Sequence, residues 1–493
     1  MFSVFERGFF KSGGYEVCEM IKTKIIATLG PACANTDTIR SMIDNGVDVF
    51  RLNFSHGTTQ EHQKMFEAFE EARKSHHHTT AILGDLCGPK IRTGLIFPEG
   101  ERIKAGERIS IVEGNKTGTA RRFCSNYEKF IADVNIGNRV FIDDGQISLV
   151  AVEKRQGELI CEVVSGGQLF SQKGINLPDT KISIPSITEK DWQWVDWAIE
   201  KKLDFIALSF VRGPEEIIRL REYLRSHGSD ARIVAKIETP QGLEHIEKII
   251  RASDIILVAR GDLGVEMDLA EVPLIQKRLT RLCRQFGKPV VVATQMLQSM
   301  ITSPTPTRAE VSDIANAIID LTDAVMLSVE PAIGSYPVKA AETIQRIARV
   351  TEAWLDRAKA VYQRTITTQE NKLIAAMASS VAQIVEQIDA KFTAVWSQDG
   401  TSAGFLSKAR IDVPILALSS NQRTCRQMCL HYGVIPRCQT VPENIESFAK
   451  LADKLILASN WAKSGDKIVL VGGQSLGDAG TTSTILVHTI QQP

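Results

Sequence analysis

The chain has 493 residues, 43% of them hydrophobic and 24% charged, with 58 basic residues against 58 acidic ones. That length exceeds what one hydrophobic core serves, so two to four domains are expected, and the ordinary apolar-to-charged balance excludes a disordered chain. A formal charge of zero argues against a nucleic-acid or membrane-surface protein, both of which need a basic excess, and leaves small-molecule chemistry as the expectation.

In chain order, residues 1–20 (MFSVFERGFFKSGGYEVCEM) have charges interrupting every apolar run, so they read as a loose arm rather than a secretory signal or anchor. Met20, directly before the first strand-like run, is an alternative start of translation. Short β-branched runs predict strands over Lys24–Gly30, Val47–Ser55 and Thr80–Leu86, with an amphipathic helix over Thr38–Asn45. From Arg92 to about Ile184 short strands alternate with Gly and Asp turns, as in RVFIDDGQISLVAV, which predicts an all-β domain inserted after the third strand. Five more strands are predicted over Leu203–Phe210, Arg232–Glu238, Asp254–Gly261, Pro289–Met296 and Asp323–Glu330. Helical segments such as Pro214–Arg225, Gly242–Arg251 and Leu274–Phe286 separate them. Eight strands alternating with helices predict a closed parallel TIM (β/α)8 barrel. A long helix around Ala340–Ala358 precedes a new α/β pattern, with strand candidates in FTAVWSQ, PILALSS, DKIVLVGG and TSTILVHT. The expected division is an arm (1–20), a barrel (21–88 and 185–360), an inserted β-barrel lid (89–184) and a C-terminal α/β regulatory domain (361–493).

In such barrels the reactive groups sit at the C-terminal ends of the strands. The unusual polar residues fall there: Arg51, Asn53 and Ser55 after the second strand, Asp85 after the third, Lys236 and Glu238 at i and i+2 on the fifth. Arg260, Gly261 and Asp262 follow the sixth, Thr294 and Gln295 the seventh, and Glu330 the eighth. One strand-end charge reads as a surface salt bridge, but five strands converging on one rim leave like charges uncompensated unless a ligand or ion balances them. Glu238 and Asp262 offer hard carboxylate oxygens with no His or Cys in the pattern, which suits Mg2+, or Mn2+. Lys236 and Arg51 would stand beside the metal as the cationic clamp that a phosphoryl group needs. Gly261 opens RGDLG and either leaves backbone N–H groups for a carboxylate or makes a plain strand-to-helix turn.

The remaining signals are weaker. No GxxxxGK[ST] loop is present, and the Gly-rich Val471–Thr482 reads equally as a hairpin turn or a phosphate cradle. Nine scattered cysteines without a CxxC pair point to a reducing cytoplasm. Cys425 and Cys429, near His431, lack a fourth ligand and read as buried small hydrophobes, while His76–His78 reads as a solvated loop.

The segments TKIIATLGPA, RLNFSHG, GPKIRTG, KGINLP, LSFVR, AKIETPQG, VARGDLGVE, ATQMLQSM and PTRAEVSDIANA, in that order, resemble those of pyruvate kinases. The resemblance implies transfer of the phosphoryl group of phosphoenolpyruvate to ADP, giving pyruvate and ATP, by a cytoplasmic homotetramer that takes a sugar-phosphate or nucleotide effector. It makes Lys236 the transition-state stabiliser, Arg51 the ligand of the substrate phosphate, Gly261 and Asp262 the amides for its carboxylate, and Thr294 a neighbour of the carbon that is protonated. Glu238 and Asp262 would hold Mg2+. Asn53, Phe54, Ser55, His56, Arg92 and Lys173 match nucleotide-contacting positions, and Asn53, Ser55, Asp85 and the Leu86 carbonyl match K+ ligands. Three departures stand out. Lys90 occupies a place that is acidic in potassium-dependent members, which implies that K+ is dispensable. SVEPAIG (Ser328–Gly334) replaces the usual SGETAKG, and SQDGTSA (Ser397–Ala403) is only partly like the phosphate-gripping turn. Two other readings fit the same residues: a Mg2+-dependent lyase acting on pyruvate or oxaloacetate, and a non-catalytic phosphoenolpyruvate sensor.

Overall fold

The computed structural model describes residues 20–76, 78–358 and 371–492. The arm over residues 1–19, His77 and the boundary near residue 360 lie outside the described residues. Eight parallel strands close into a barrel: Lys24–Thr28, Val49–Asn53, Ala81–Asp85, Phe205–Leu208, Arg232–Ile237, Ile255–Ala259, Val290–Ala293 and Ala324–Leu327. They read as mostly apolar runs because both faces are covered, with exceptions such as Arg51 and Lys236. Alternate residues such as Ile26, Leu83, Phe205, Leu257 and Met326 fill the interior, while Ile25, Phe50, Ile206 and Val258 pack outward under the helices.

Local capping fixes where the helices start. Thr58 and Glu61 form a reciprocal capping box for the helix Thr59–Lys74, and Thr188 and Asp191 form one for Glu189–Glu200. The second Asp191 oxygen accepts the amides of Cys87 and Gly88 at 3.0 and 3.3 Å. The chain leaving the barrel for the insertion is thereby tied to the helix that follows its return.

The N-terminal ends of the strands show a four-fold regularity. The residue before each even-numbered strand, Asp48, Asp204, Asp254 and Asp323, accepts a backbone N–H from the preceding odd-numbered strand. The donors are Ile25, Ile82, Ile233 and Val290, at 3.0, 3.1, 2.8 and 2.7 Å. These carboxylates satisfy amides at the bottom rim of the barrel, and cations in turn compensate them. Three of those cations, serving two of the four carboxylates, come from the C-terminal domain. Arg426 pairs with Asp204 at 2.7 Å, and Asp323 is buried between Lys408 and Arg410.

The insertion is β as expected apart from one helical turn, Phe130–Asp133, and has its own apolar core running from Ile91 to Leu177. Its six-stranded sheet does not close by a continuous ladder as a barrel would. Its two edges approach each other only through single bridges, Arg92 to Gly174 and Thr93 to Ser125, because the edge strands Arg122–Cys124 and Ile175–Asn176 are too short to pair further. The C-terminal domain is a five-stranded sheet containing the four anticipated strands plus Val434–Cys438. Pro436 hid that strand from sequence reading. It lies at the sheet edge, where a residue without an N–H is tolerated. Val471–Thr482 joins two antiparallel strands, Lys467–Gly473 and Thr482–Thr489, so the hairpin reading describes it.

Three local expectations are corrected. The sixth strand ends at Ala259 and Arg260–Glu266 is already helical, while the eighth ends at Leu327. Gly242–Arg251 is two helices, Pro240–Glu244 and Ile246–Ala252, broken at a non-helical His245. His76 and His78 are half-buried rather than solvated and face Asp44 and Asp48 at 3.6 Å, because their loop crosses the lower rim of the barrel. Among the described residues no helix is long and apolar enough to cross a membrane.

Candidate active site at the barrel mouth

At the C-terminal rim, four charged side chains from three strands form one buried chain. Arg51 donates to Asp85 Oδ2 through Nε at 2.7 Å and to Thr28 Oγ1 at 2.9 Å. Asp85 Oδ1 lies 3.4 Å from Lys236 Nζ, which lies 2.8 Å from Glu238 Oε1 and donates to Ser209 Oγ at 2.7 Å. The pairing of Lys236 with Glu238 follows from their i, i+2 spacing, which puts both on one face of the fifth strand. Glu238 Oε2 also accepts the Phe210 amide at 2.6 Å.

Charge balance sets the protonation states. Burial alone would pull the Lys236 ammonium down, but Asp85, Glu238 and Asp262 outweigh it and hold its pKa above the ordinary lysine value. Burial opposes ionisation of Asp85 too, yet Lys236 and Arg51 keep its carboxyl below the usual range. Glu238 goes the other way. Its burial, reinforced by the nearby Asp262 charge, raises its pKa despite Lys236. Two carboxylates that repel each other in a buried site, both with oxygen donors only, fit a small hard divalent cation.

On the opposite side of the mouth, Thr294 and Gln295 both have left-handed backbone, φ 70° and 54°, unusual for residues with side chains. Arg260 holds this turn. It is fixed by Asp313 at 2.7 Å and donates to the Thr294 carbonyl at 2.9 Å. The Thr294 hydroxyl accepts the Gly261 amide at 2.7 Å and donates to the Ala293 carbonyl at 2.6 Å. The Gly261 N–H, expected to be free for a carboxylate, is therefore already engaged, and a ligand would have to compete with Thr294 for it. Asp262 follows in the first turn of the helix and lines a cavity of about 330 Å³ between insertion and barrel.

That cavity also gathers Arg92 and Lys173, the cations expected to meet the nucleotide, together with Lys90, expected in place of K+. Arg92 donates to the Gln172 carbonyl at 2.9 Å, and Lys173 pairs with Asp143 at 2.9 Å within the insertion. Asn53 accepts the Ser55 amide at 3.2 Å, and His56 is exposed, its pKa lowered by partial burial and then by Lys90, Arg92 and Arg51. Phe54 is different. Its ring is wholly buried, stacked on Trp194 at 4.3 Å, so it offers a nucleotide no side-chain contact. The Leu86 carbonyl accepts the Ser209 hydroxyl at 2.8 Å, and Asp85 is bonded by Arg51 and Lys236, with Ser209 Oγ 3.5 Å away; Lys90 is not among its partners.

Sequence reading passed over Ser209 and Thr28, which orient Lys236 and Arg51. The signal was present for Ser209, a hydroxyl at the C-terminal end of the fourth strand inside LSFVR. Glu330 belongs to the frame rather than to the rim of reactive groups. It is buried and accepts the amides of Leu297 and Ser328 at 2.9 and 2.8 Å.

Comparison with known proteins agrees with this geometry. Residues 20–341 match the model of the pyruvate kinase barrel domain, and residues 375–488 match that of the pyruvate kinase alpha/beta domain. The chain belongs to the pyruvate kinase family. The pyruvate kinase of Geobacillus stearothermophilus is 40% identical over 472 residues, 95% of this chain and 80% of that protein. That of Staphylococcus epidermidis is 37% identical over 478 residues, 96% and 81%. A crystal structure of a pyruvate kinase from Cryptosporidium parvum superposes with a TM-score of 0.90 at 32% identity, covering 96% of this chain and 97% of that one. The chain is accordingly an enzyme, a phosphotransferase with the pyruvate kinase reaction.

Against the family pattern, SVEPAIG is accommodated. It forms the short helix Val329–Ile333, and Pro331 sits in its first turn, where a backbone N–H has no partner within the helix. In SQDGTSA, Asp399 accepts both the amide and the hydroxyl of Thr401 at 3.0 and 2.9 Å, so the turn is capped from within.

The insertion meets the barrel where Asn176 donates to Glu266 at 2.8 Å. Burial, with Asp262 and Asp179 adding to it, raises the Glu266 pKa from 4.5 to about 7. The docked state thus binds a proton more tightly than a solvated Glu266 does. Docking is strongest below pH 4.5 and weakens as pH rises through about 7, by up to about 3 kcal/mol. Amide exchange in Ile175–Asn176 is expected to speed up across that window beyond its intrinsic pH dependence, and Glu266→Gln is expected to remove the excess. Identical profiles for the two proteins would refute this.

Proposed function

We propose that the site performs phosphoryl transfer from phosphoenolpyruvate to ADP through the charged chain Arg51–Asp85–Lys236–Glu238. The observation that carries this reading is Lys236. Its ammonium is buried at the mouth, held charged by Asp85 and Glu238, and oriented by Ser209. A preorganised cation in a water-poor site opposes the charge that develops on the transferring phosphoryl group and the enolate oxygen. Arg51, fixed by Asp85 and Thr28, binds the substrate phosphate. Glu238 and Asp262 are the residues that would hold Mg2+ or Mn2+, which when bound neutralises phosphate oxygens. Thr294 stands beside the carbon that takes the proton, its hydroxyl held by the Gly261 amide.

ADP enters the cavity under the insertion, where Arg92 and Lys173 meet its phosphates beside Asn53, Ser55 and His56. Closure of that lid excludes water and completes the site. In this reading Lys90, which lines the cavity rather than pairing with Asp85, supplies the positive charge that K+ gives elsewhere, beside the site marked by Asn53, Ser55, Asp85 and the Leu86 carbonyl. The enzyme works in the cytoplasm as a homotetramer, with apolar Val350, Trp354 and Leu274, 60%, 53% and 67% exposed, available for contact between copies. A sugar phosphate or nucleotide acts on the C-terminal domain.

The test is pyruvate formation from phosphoenolpyruvate and ADP with Mg2+, with and without K+. Turnover that is indifferent to K+ is expected, and a strong K+ requirement would overturn the role given to Lys90. Phosphoenolpyruvate binding without turnover would favour the sensor, and oxaloacetate cleavage without nucleotide the lyase.

A further inference from the structure

Two thiols of the C-terminal domain converge at the edge of its sheet. The strand Ile415–Ser419 runs parallel to the edge strand Val434–Cys438, with Ser419 directly opposite Cys438 and the Gln439 amide bonded to the Ser419 carbonyl at 3.0 Å. After Ser419 the chain turns through Asn421 into the helix Gln422–Gln427, which packs back over these two strands. That turn brings Cys425 Sγ to 3.8 Å from the same Ser419 carbonyl, while Cys438 Sγ lies 3.7 Å from the adjacent Ser420 carbonyl. Both sulfurs therefore sit over consecutive peptide groups of one turn.

Their surroundings differ in a useful way. Cys438 is exposed and Cys425 is buried. Burial pushes the Cys425 thiol up to about 12, so it does not react first. Cys429, the other cysteine near this turn, donates to the Thr79 carbonyl at 3.1 Å, engaged with the barrel instead.

We propose that Cys438 and Cys425 form a reversible dithiol–disulfide site, oxidised by peroxide and reduced by a small dithiol. The Cys438 thiolate attacks one peroxide oxygen. An S–O bond forms, the O–O bond breaks, and hydroxide leaves and is protonated to water. The Cys425 sulfur then attacks the Cys438 sulfenic sulfur, forming S–S and breaking S–O, and its proton leaves with the second water. Two thiols are oxidised by two electrons and one peroxide is reduced to two waters.

The linkage would staple the helix Gln422–Gln427 to the sheet edge. That helix carries Arg423 and Arg426, which reach the Leu203 carbonyl and Asp204 at the bottom of the fourth barrel strand, both at 2.7 Å. Oxidation therefore acts on the segment that docks the C-terminal domain.

The experiment treats the full-length protein with hydrogen peroxide, alkylates remaining thiols, digests without reductant and maps the peptides by mass. The expected product is a Cys425–Cys438 linked peptide lighter by two hydrogens, lost on treatment with dithiothreitol. Cys438→Ser should abolish it and leave Cys425 as unmodified thiol. Cys425→Ser should leave Cys438 to proceed to sulfinic acid or to link between chains. The inference is overturned if the wild-type protein gives only those Cys425→Ser products, or if its intramolecular link joins Cys429.

Discussion

Replacing Lys236 by Met is expected to lower kcat by about a thousand-fold or more, the ~4 kcal/mol that one well-placed transition-state charge contributes in a buried site. The ammonium interacts with both Asp85 and Glu238, so its loss also leaves the Glu238 and Asp262 carboxylates to repel each other with less compensation. Affinity for phosphoenolpyruvate should fall much less, because Arg51 keeps its own partners, Asp85 and Thr28. A steady-state measurement paired with ligand binding by calorimetry separates the two effects. A kcat within tenfold of the parent, in a variant that unfolds at the parent temperature, would remove Lys236 from the chemistry.

Asp323→Ala is expected to be the most damaging single change away from the mouth. Asp323 is fully buried, accepts the Val290 amide at 2.7 Å, and lies between Lys408 and Arg410, whose side chains are 1% and 6% exposed. Burial opposes its ionisation, yet the two cations hold its pKa below the usual range, so at neutral pH it is a carboxylate. Alanine leaves two buried cations and one strand amide without their partner. The cost of breaking such a pair is about 3–5 kcal/mol, which lowers the unfolding temperature by roughly 10 °C. The double variant Asp323→Asn with Lys408→Met removes one charge of each sign and keeps an acceptor for Val290. It should recover most of the loss in a thermal melt. A single variant as stable as the parent would show that the C-terminal domain does not depend on this contact.

How much of this was legible beforehand depended on the range of the interactions. The eight barrel strands could be read because each is a predominantly apolar run covered on both faces, a property of four to six consecutive residues. Lys236 and Glu238 could be paired because i, i+2 spacing on a strand places them on one face whatever surrounds them. The edge strand Val434–Cys438 could not, because Pro436 is acceptable only at an edge, and edge position is a property of the finished sheet.

The same division holds at the site. Residue types and their order along the strands determined the barrel, the insertion, and the set of cations and carboxylates at the mouth. The tertiary structure alone decided which of them meet. Asp85 bridges Arg51 and Lys236 because the third strand lies beside the second and only one strand separates it from the fifth. Phe54 turned inward because Trp194, some 140 residues on, stacks against it. The Gly261 amide was taken by Thr294 because the turn at Thr294 adopts a left-handed backbone that Arg260 and Asp313 hold in place. Local pattern fixes what a segment can be, because it acts through nearest neighbours on one chain. Electrostatic partners and burial are set by residues brought together only when the barrel closes.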